Sequence, residues 1–161
     1  MDMKHPRVRR VARGALLGLA TVFVFAQLVP YGRAHANPAA VVEPRWDQPS
    51  TRALAVRACF DCHSNETSWP WYSNIAPVSW LLQRHVDNGR RALNFSDWSR
   101  PYGEADESAE LVLRGSMPTW DYRMIHPHAR LSAAERQTLA AGLTATIGRG
   151  RARGGDDDES R

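Results

Sequence analysis

One five-residue run, Cys59-Phe60-Asp61-Cys62-His63, constrains this chain more than anything else in it. Its two cysteines are the only two in 161 residues. Two cysteines cannot build a disulfide scaffold or a four-thiolate metal site. Three positions apart on one helical turn, they can reach the two vinyl groups of a single haem and form thioethers. The adjacent histidine is then held beneath the iron as proximal ligand. C-x-x-C-H is the attachment sequence of c-type haem. Three other uses fit less well. A thioredoxin-like dithiol wants a βαβ setting, which the sequence lacks. A zinc site would have to recruit His126 and His128 as an unusual His-x-His pair. A Cys59–Cys62 disulfide would close a loop too small to contribute much. One covalent haem c is the expected cofactor.

Haem attachment in bacteria takes place outside the cytoplasmic membrane, and the N-terminus independently supplies that address. The net charge of +4 could suggest a nucleic-acid partner, but its distribution argues otherwise. Residues 1–36 hold six cations (Lys4, Arg7, Arg9, Arg10, Arg13, Arg33) against one acid, Asp2; the rest of the chain holds 15 Arg against 16 acids. The cations precede an apolar run, Ala15 to Val29, in which Gln27 is the only strongly polar residue and after which comes Pro30-Tyr31-Gly32. This is the pattern of an export signal or a membrane anchor. The run is long for a signal and short for a full span of about 20 residues. Ala34-His35-Ala36 would suit a signal peptidase. In either case the positive flank stays in the cytoplasm and the residues after 30 face outward.

The reading divides the chain into an N-terminal signal or anchor segment (1–36), a haem-binding domain (37–148) and a disordered tail (149–161). Within the domain, residues 37–50 are Pro-rich and extended. Ser50 or Thr51 can cap a short helix to Ala58. Pro77 suits the first position of a helix running to about Gly89, with Trp80, Leu81 and His85 turned inward. A further helix spans 104–114 and stops at Gly115. Ser132-Ala133-Ala134-Glu135 is a capping box opening a last helix to Ile147. No segment alternates cleanly enough for a strand. The fold class is all-α: a small, cytochrome c-like helical domain wrapped around one covalent haem, with an N-terminal transmembrane or signal helix.

A six-coordinate iron needs a second axial ligand. Met117, in Gly115-Ser116-Met117-Pro118, is the leading candidate: a thioether favours ferrous iron and raises the potential, and the proline stiffens the loop that presents it. His85, His126 and His128 are the competitors, and a five-coordinate iron is the remaining option. Met124 lacks such flanks. Trp46, Trp69, Trp71, Trp80, Trp98 and Trp120 sit among Pro, Ser, Asn and acids rather than among cations, so they read as packing around the haem and not as a nucleic-acid surface. Arg84, Arg90, Arg91 and Arg123 are candidates to neutralise the propionates.

With these residues in place the chain resembles the bacterial haem-binding domain family, small exported proteins with one c-type haem motif. The stretches that carry the resemblance are QLVPYGRAHANP (27–38), CFDCHSNETSWPWYSNIAPVSWLLQRHVDNGRRALNFSDW (59–98) and GSMPTWDYRMIHPHARLSAAE (115–135). The resemblance implies covalent haem at Cys59 and Cys62, His63 as proximal ligand and Met117 in the corresponding loop. Because GRAHANP directly follows the apolar helix within the family, it also favours a retained anchor over cleavage after Ala36. The expected function is electron transfer by a monohaem protein tethered through residues 15–29 and facing the periplasm, with an unidentified redox partner protein and no nucleic acid. A peroxidase-like haem enzyme, using His85 and Arg84 on the distal side, and a redox or gas sensor are the alternatives.

Overall fold

A computed structural model describes residues 6–99, 102–103 and 105–156. The described residues are helical, in the order α1 Pro6–Ala26, α2 Pro49–Ala58, α3 Phe60–His63, α4 Val78–Ala92, α5 Ser108–Leu113, α6 Trp120–Ile125 and α7 Ala133–Asp156. Single 3₁₀ turns lie at Trp71–Asn74, Ala105–Glu107 and Pro127–Ala129. No strand occurs among the described residues; an isolated parallel bridge pairs Val42 with Asp97. The all-α class expected from the sequence is the observed one. The chain resolves into two units: the chain up to His35 with Trp69–Arg84, and Ala36–Ser68 with the chain from His85 on.

In the first unit, α1 starts on Pro6, whose fixed φ and missing N–H suit a first helical position. Its side chains from Leu16 to Phe25 are exposed on every face, Leu16, Leu17, Leu19, Val22 and Phe25 all by more than 60%. No helix among the described residues is long and apolar enough to cross a membrane. The reason is in the sequence: Arg7, Arg9, Arg10 and Arg13 occupy the first two turns, and only Gly14–Ala26 is free of charge, short of the about 20 residues a span requires. The expected transmembrane helix is therefore present as a helix and not as a demonstrable span.

The second unit holds the main core. α7 contributes Leu139, Ala140, Leu143 and Ile147, spaced to form one stripe, against Ala55 and Ala58 of α2 and Val112 of α5. Phe60 and Phe95 stack with centroids 5.6 Å apart, and Trp46 and Trp98 close on Phe95 at 5.1 and 6.1 Å. The capping box forms as expected: Ser132 Oγ accepts from the Glu135 N–H at 3.2 Å, and the Glu135 carboxylate accepts from the Ser132 N–H at 2.7 Å. Glu135 also binds Arg57 at 2.6 Å, tying α2 to the first turn of α7.

Three expectations need correction. α2 begins at Pro49 with Gln48 as an N-cap that makes no side-chain cap bond; Thr51 lies inside the helix and is buried. The proline sets the start, so no hydroxyl is needed there. The helix expected at 104–114 is a 3₁₀ turn followed by the short α5. α7 continues through Gly148 to Asp156, where the sequence reading put a disordered tail from 149; residues 157–161 lie outside the described residues. A single interior glycine costs only about 1 kcal/mol relative to alanine, and the arginines that follow are good helix formers.

Candidate haem site

α3 is a one-turn helix, and its shortness decides the site. Cys59 serves both as C-cap of α2 and as N-cap of α3, and its carbonyl accepts the N–H of Cys62 at 3.1 Å and of His63 at 2.9 Å. Both thiols and the imidazole thus come from one bonded turn. The motif is then clamped from outside. The Phe95 N–H donates to the His63 carbonyl at 2.8 Å. Asp61 accepts from the Ser68 N–H at 2.9 Å and from the Tyr122 hydroxyl, while its carbonyl accepts from Thr67 Oγ1 at 2.8 Å. α4 crosses so close at Gly89 that a Cβ there would overlap the Cys62 carbonyl, so only glycine permits the approach.

Beside the motif lies a cavity of about 630 Å³, within the range of small-molecule and cofactor sites. Ala58, Leu93, Phe95, Leu111, Val112 and Leu143 give it an apolar wall continuous with the core. Cys59, Cys62 and His63 line it, and so does Met117. The four residues singled out from sequence are thus brought together around one space. Both cysteines are unpaired. Burial pushes the Cys59 thiol up to about 12, helped by Cys62; burial does the same to Cys62, helped by the negative charges of Asp61 and Asp121. Both shifts favour the neutral thiol over the thiolate. Burial also lowers the pKa of His63, against the pull of the Leu93 and Gly89 carbonyls. Its Nδ1 lies 3.0 Å from the Leu93 carbonyl, which can only accept. Nδ1 therefore carries the proton and Nε2 the lone pair, the arrangement of a metal-ligating imidazole oriented by a backbone carbonyl.

Met117 is held as firmly from the other side. α5 ends on Gly115 at φ 74°, with the Gly115 N–H on the Val112 carbonyl at 3.1 Å and the Ser116 N–H on the Leu111 carbonyl at 2.9 Å. This is a Schellman ending. The Met117 N–H shares the Leu111 carbonyl at 3.1 Å, so the methionine backbone is fixed by the helix that precedes it. Pro118 and Thr119 follow it along the cavity wall.

The residues present fit a haem. The cavity offers two thiols, an imidazole with its lone pair on Nε2, a thioether and an apolar lining. It also holds an orphan: Ser108 Oγ is buried on the cavity wall with no hydrogen-bond partner among the described residues. Of the competing ligands, His85 lines the cavity, with its Nδ1 3.9 Å from the Asp121 carboxylate. His126 and His128 do not; His126 stacks on Tyr122 at 4.0 Å, and Met124 is 63% exposed. A zinc site built from Cys59, Cys62, His126 and His128 is not assembled, because the two histidines lie off the cavity that the two cysteines line. Of the four candidate arginines only Arg91 lines the cavity; Arg90 is spent on the Ser64 and Ala36 carbonyls, Asn37 and Thr67. None of the six tryptophans lines it, although Trp46 and Trp98 pack into the core behind Phe95. The expectation of a tryptophan sheath fails because Phe95 and the aliphatic residues of α5 and α7 already supply the apolar wall. Leu81 is exposed rather than turned inward. The parts played by Leu93, Tyr122 and Ser108 leave no local signal in the sequence beyond a Tyr about one turn after the Met-Pro step.

A family model described as Haem-binding domain matches residues 21–145. The chain belongs to the haem-binding domain family. The match takes in the α3 motif, the α4 segment, the Met117 turn and most of α7, so the cavity described above falls within it. No curated protein and no solved structure matches the chain.

Proposed function

We propose that this haem-binding domain carries one covalent haem c and acts as an electron carrier at the outer face of the cytoplasmic membrane. The single observation that carries the reading is the convergence of Cys59, Cys62, His63 and Met117 on one apolar cavity. Cys59 and Cys62 would hold the group through thioethers, with His63 and Met117 as its axial ligands. When bound, the haem supplies a one-electron ferric/ferrous couple. The chain's own residues fix what that couple would experience. The Leu93 carbonyl makes the His63 imidazole a stronger donor. The Met117 thioether favours the reduced state. Leu111, Val112 and Leu143 exclude water, which disfavours the more highly charged oxidised state.

The address is read from the N-terminus. The cations of residues 7–13 precede an uncharged apolar stretch that is exposed from Leu16 to Phe25. That surface suits a lipid environment, with residues 15–29 as the tether and the domain facing outward. A second reading, small-molecule activation at the iron, has His85 on the cavity wall in its favour, although Arg84, its expected distal partner, does not line the cavity.

The test is an intact mass of the full chain from a haem-attaching, exporting host, followed by spectroscopy. A chain heavier by one haem that survives acidic acetone extraction is expected. The ferric protein should show the weak far-red band of a sulfur-ligated iron, and the ferrous protein should bind carbon monoxide slowly. Loss of haem on extraction would reject the covalent reading. Rapid carbon monoxide or peroxide binding would favour the enzymatic one.

A further inference from the structure

The contacts made by residues 27–36 bear on whether the export segment is removed. Gln27, the one strongly polar residue of the apolar run, is bonded through both ends of its amide. Its Oε1 accepts from the Ala76 N–H at 3.0 Å and from Arg33 Nη2 at 3.0 Å; its Nε2 donates to the Ala76 carbonyl at 2.9 Å and to the Phe23 carbonyl at 3.0 Å. The amide therefore pairs both backbone groups of a residue that is completely buried. Gly32, at φ 80°, lies so near the Ser79 carbonyl that any side chain there would collide with it. His35 takes the left-handed conformation at φ 48°, a region uncommon for non-glycine residues but one that histidine, like asparagine and aspartate, enters more often than most. Its ring stacks on Trp69 at 4.8 Å, and its Nε2 lies 2.8 Å from the buried Ser73 Oγ.

We infer that residues 27–35 are a permanent part of the folded protein and that the chain is not cut after Ala36. This rests on reading α1 as the export segment. A leader meant for removal has no reason to satisfy buried groups of the domain it leaves. Cleavage at Ala36–Asn37 would strip the Ala76 N–H and carbonyl of their partner and uncover a face of Trp69. In the second unit, Arg90 Nη1 donates to the Ala36 carbonyl itself at 3.0 Å, the carbonyl a peptidase would attack. Export processing also needs the residues before the cut in an extended strand, and His35 is held in the opposite region of backbone space. Small residues at 34 and 36 thus mimic a cleavage motif.

The experiment uses the full chain in two arms. The first is the intact mass of the C-terminally tagged, exported protein. A chain retaining residues 27–36 is expected; one beginning at Asn37 overturns the inference. The second arm compares the full chain with Gln27→Leu, which keeps the segment apolar and removes only the amide bonds. Faster proteolytic cutting within 69–77 and a thermal midpoint lower by several degrees are expected. An unchanged cutting pattern and midpoint overturn the structural role of the segment. Haem content separates the two readings: a haem-free chain counts against the export reading, and the proteolysis arm, which needs no haem, still decides this one.

Discussion

The two walls that carry the iron-ligand candidates are built by opposite means. The motif wall is local: Cys59, Cys62 and His63 share one turn, and their spacing alone guarantees that the thiols and imidazole travel together. Around it the fold adds only orientation, through the Leu93 carbonyl, the Phe95 N–H and the glycine crossing at Gly89. The Met117 wall is 54 residues away in sequence, and nothing local makes methionine a ligand rather than core filler. Its position comes from the Schellman ending of α5 and from the packing of α5 on α7, which sets where the turn lies. A site of this kind is local and robust on one side and conditional on tertiary structure on the other.

The comparison can be broken in stages, the largest effect first. Replacing both cysteines, Cys59→Ala with Cys62→Ala, should abolish haem that survives acid extraction, while the helical content of the rest persists in circular dichroism. Retention of covalent haem would mean that the motif is not the attachment site. Met117→Ala should keep the covalent haem, lose the far-red band, lower the reduction potential and admit carbon monoxide rapidly. A Met117 variant with an unchanged spectrum would transfer the distal role to His85.

Next in size is the packing that positions the Met117 wall. Leu143 is 1% exposed and borders both the core and the cavity. Leu143→Ala should cost about 2–5 kcal/mol in denaturant unfolding. It should also broaden the haem spectrum, because the support behind α5 is lost. If the two walls were equally local, stability would fall with no spectral change.

The smallest effect concerns acid. Hydrogen bonds from the Ser132 N–H and Arg57 hold the Glu135 carboxyl down to about 2, and Arg52 with Trp46 lowers Glu43. A depressed folded-state pKa contributes stability that is present above the ordinary value near 4.5 and is lost as pH falls toward the folded value. Thermal midpoints should therefore decline between about pH 5 and pH 2, and Glu135→Gln should flatten that decline. The variant should leave the haem spectrum at neutral pH unchanged, since Glu135 lies on the α2–α7 contact and not on the cavity.

Legibility followed the same division. The motif, the capping box at Ser132 and the Gly115 stop are local devices whose bonds close within a few residues, and each was readable from spacing. The extent of α7 was not, because a glycine is a weak terminator and its helix-forming neighbours outweigh it. The tryptophans misled, since their size suits a haem edge, yet long-range packing assigned Trp46 and Trp98 to the core and left Trp71 and Trp120 exposed. The role of Gln27 was hidden because a lone polar residue in an apolar run acquires its meaning only from Ala76, 49 residues on.

By itself, then, the sequence pointed to haem as the cofactor, determined the helical class and supplied the cationic-then-apolar pattern of the N-terminus. Each of these depends on residues within one turn or one run. Only the tertiary structure decided that Met117 faces the same cavity as His63, that Arg91 and not its neighbours lines it, and that residues 27–35 pair with buried groups of a distant loop. Those facts depend on which segments meet in space, and that is set by the burial of α7's apolar stripe and by close backbone crossings at Gly32 and Gly89.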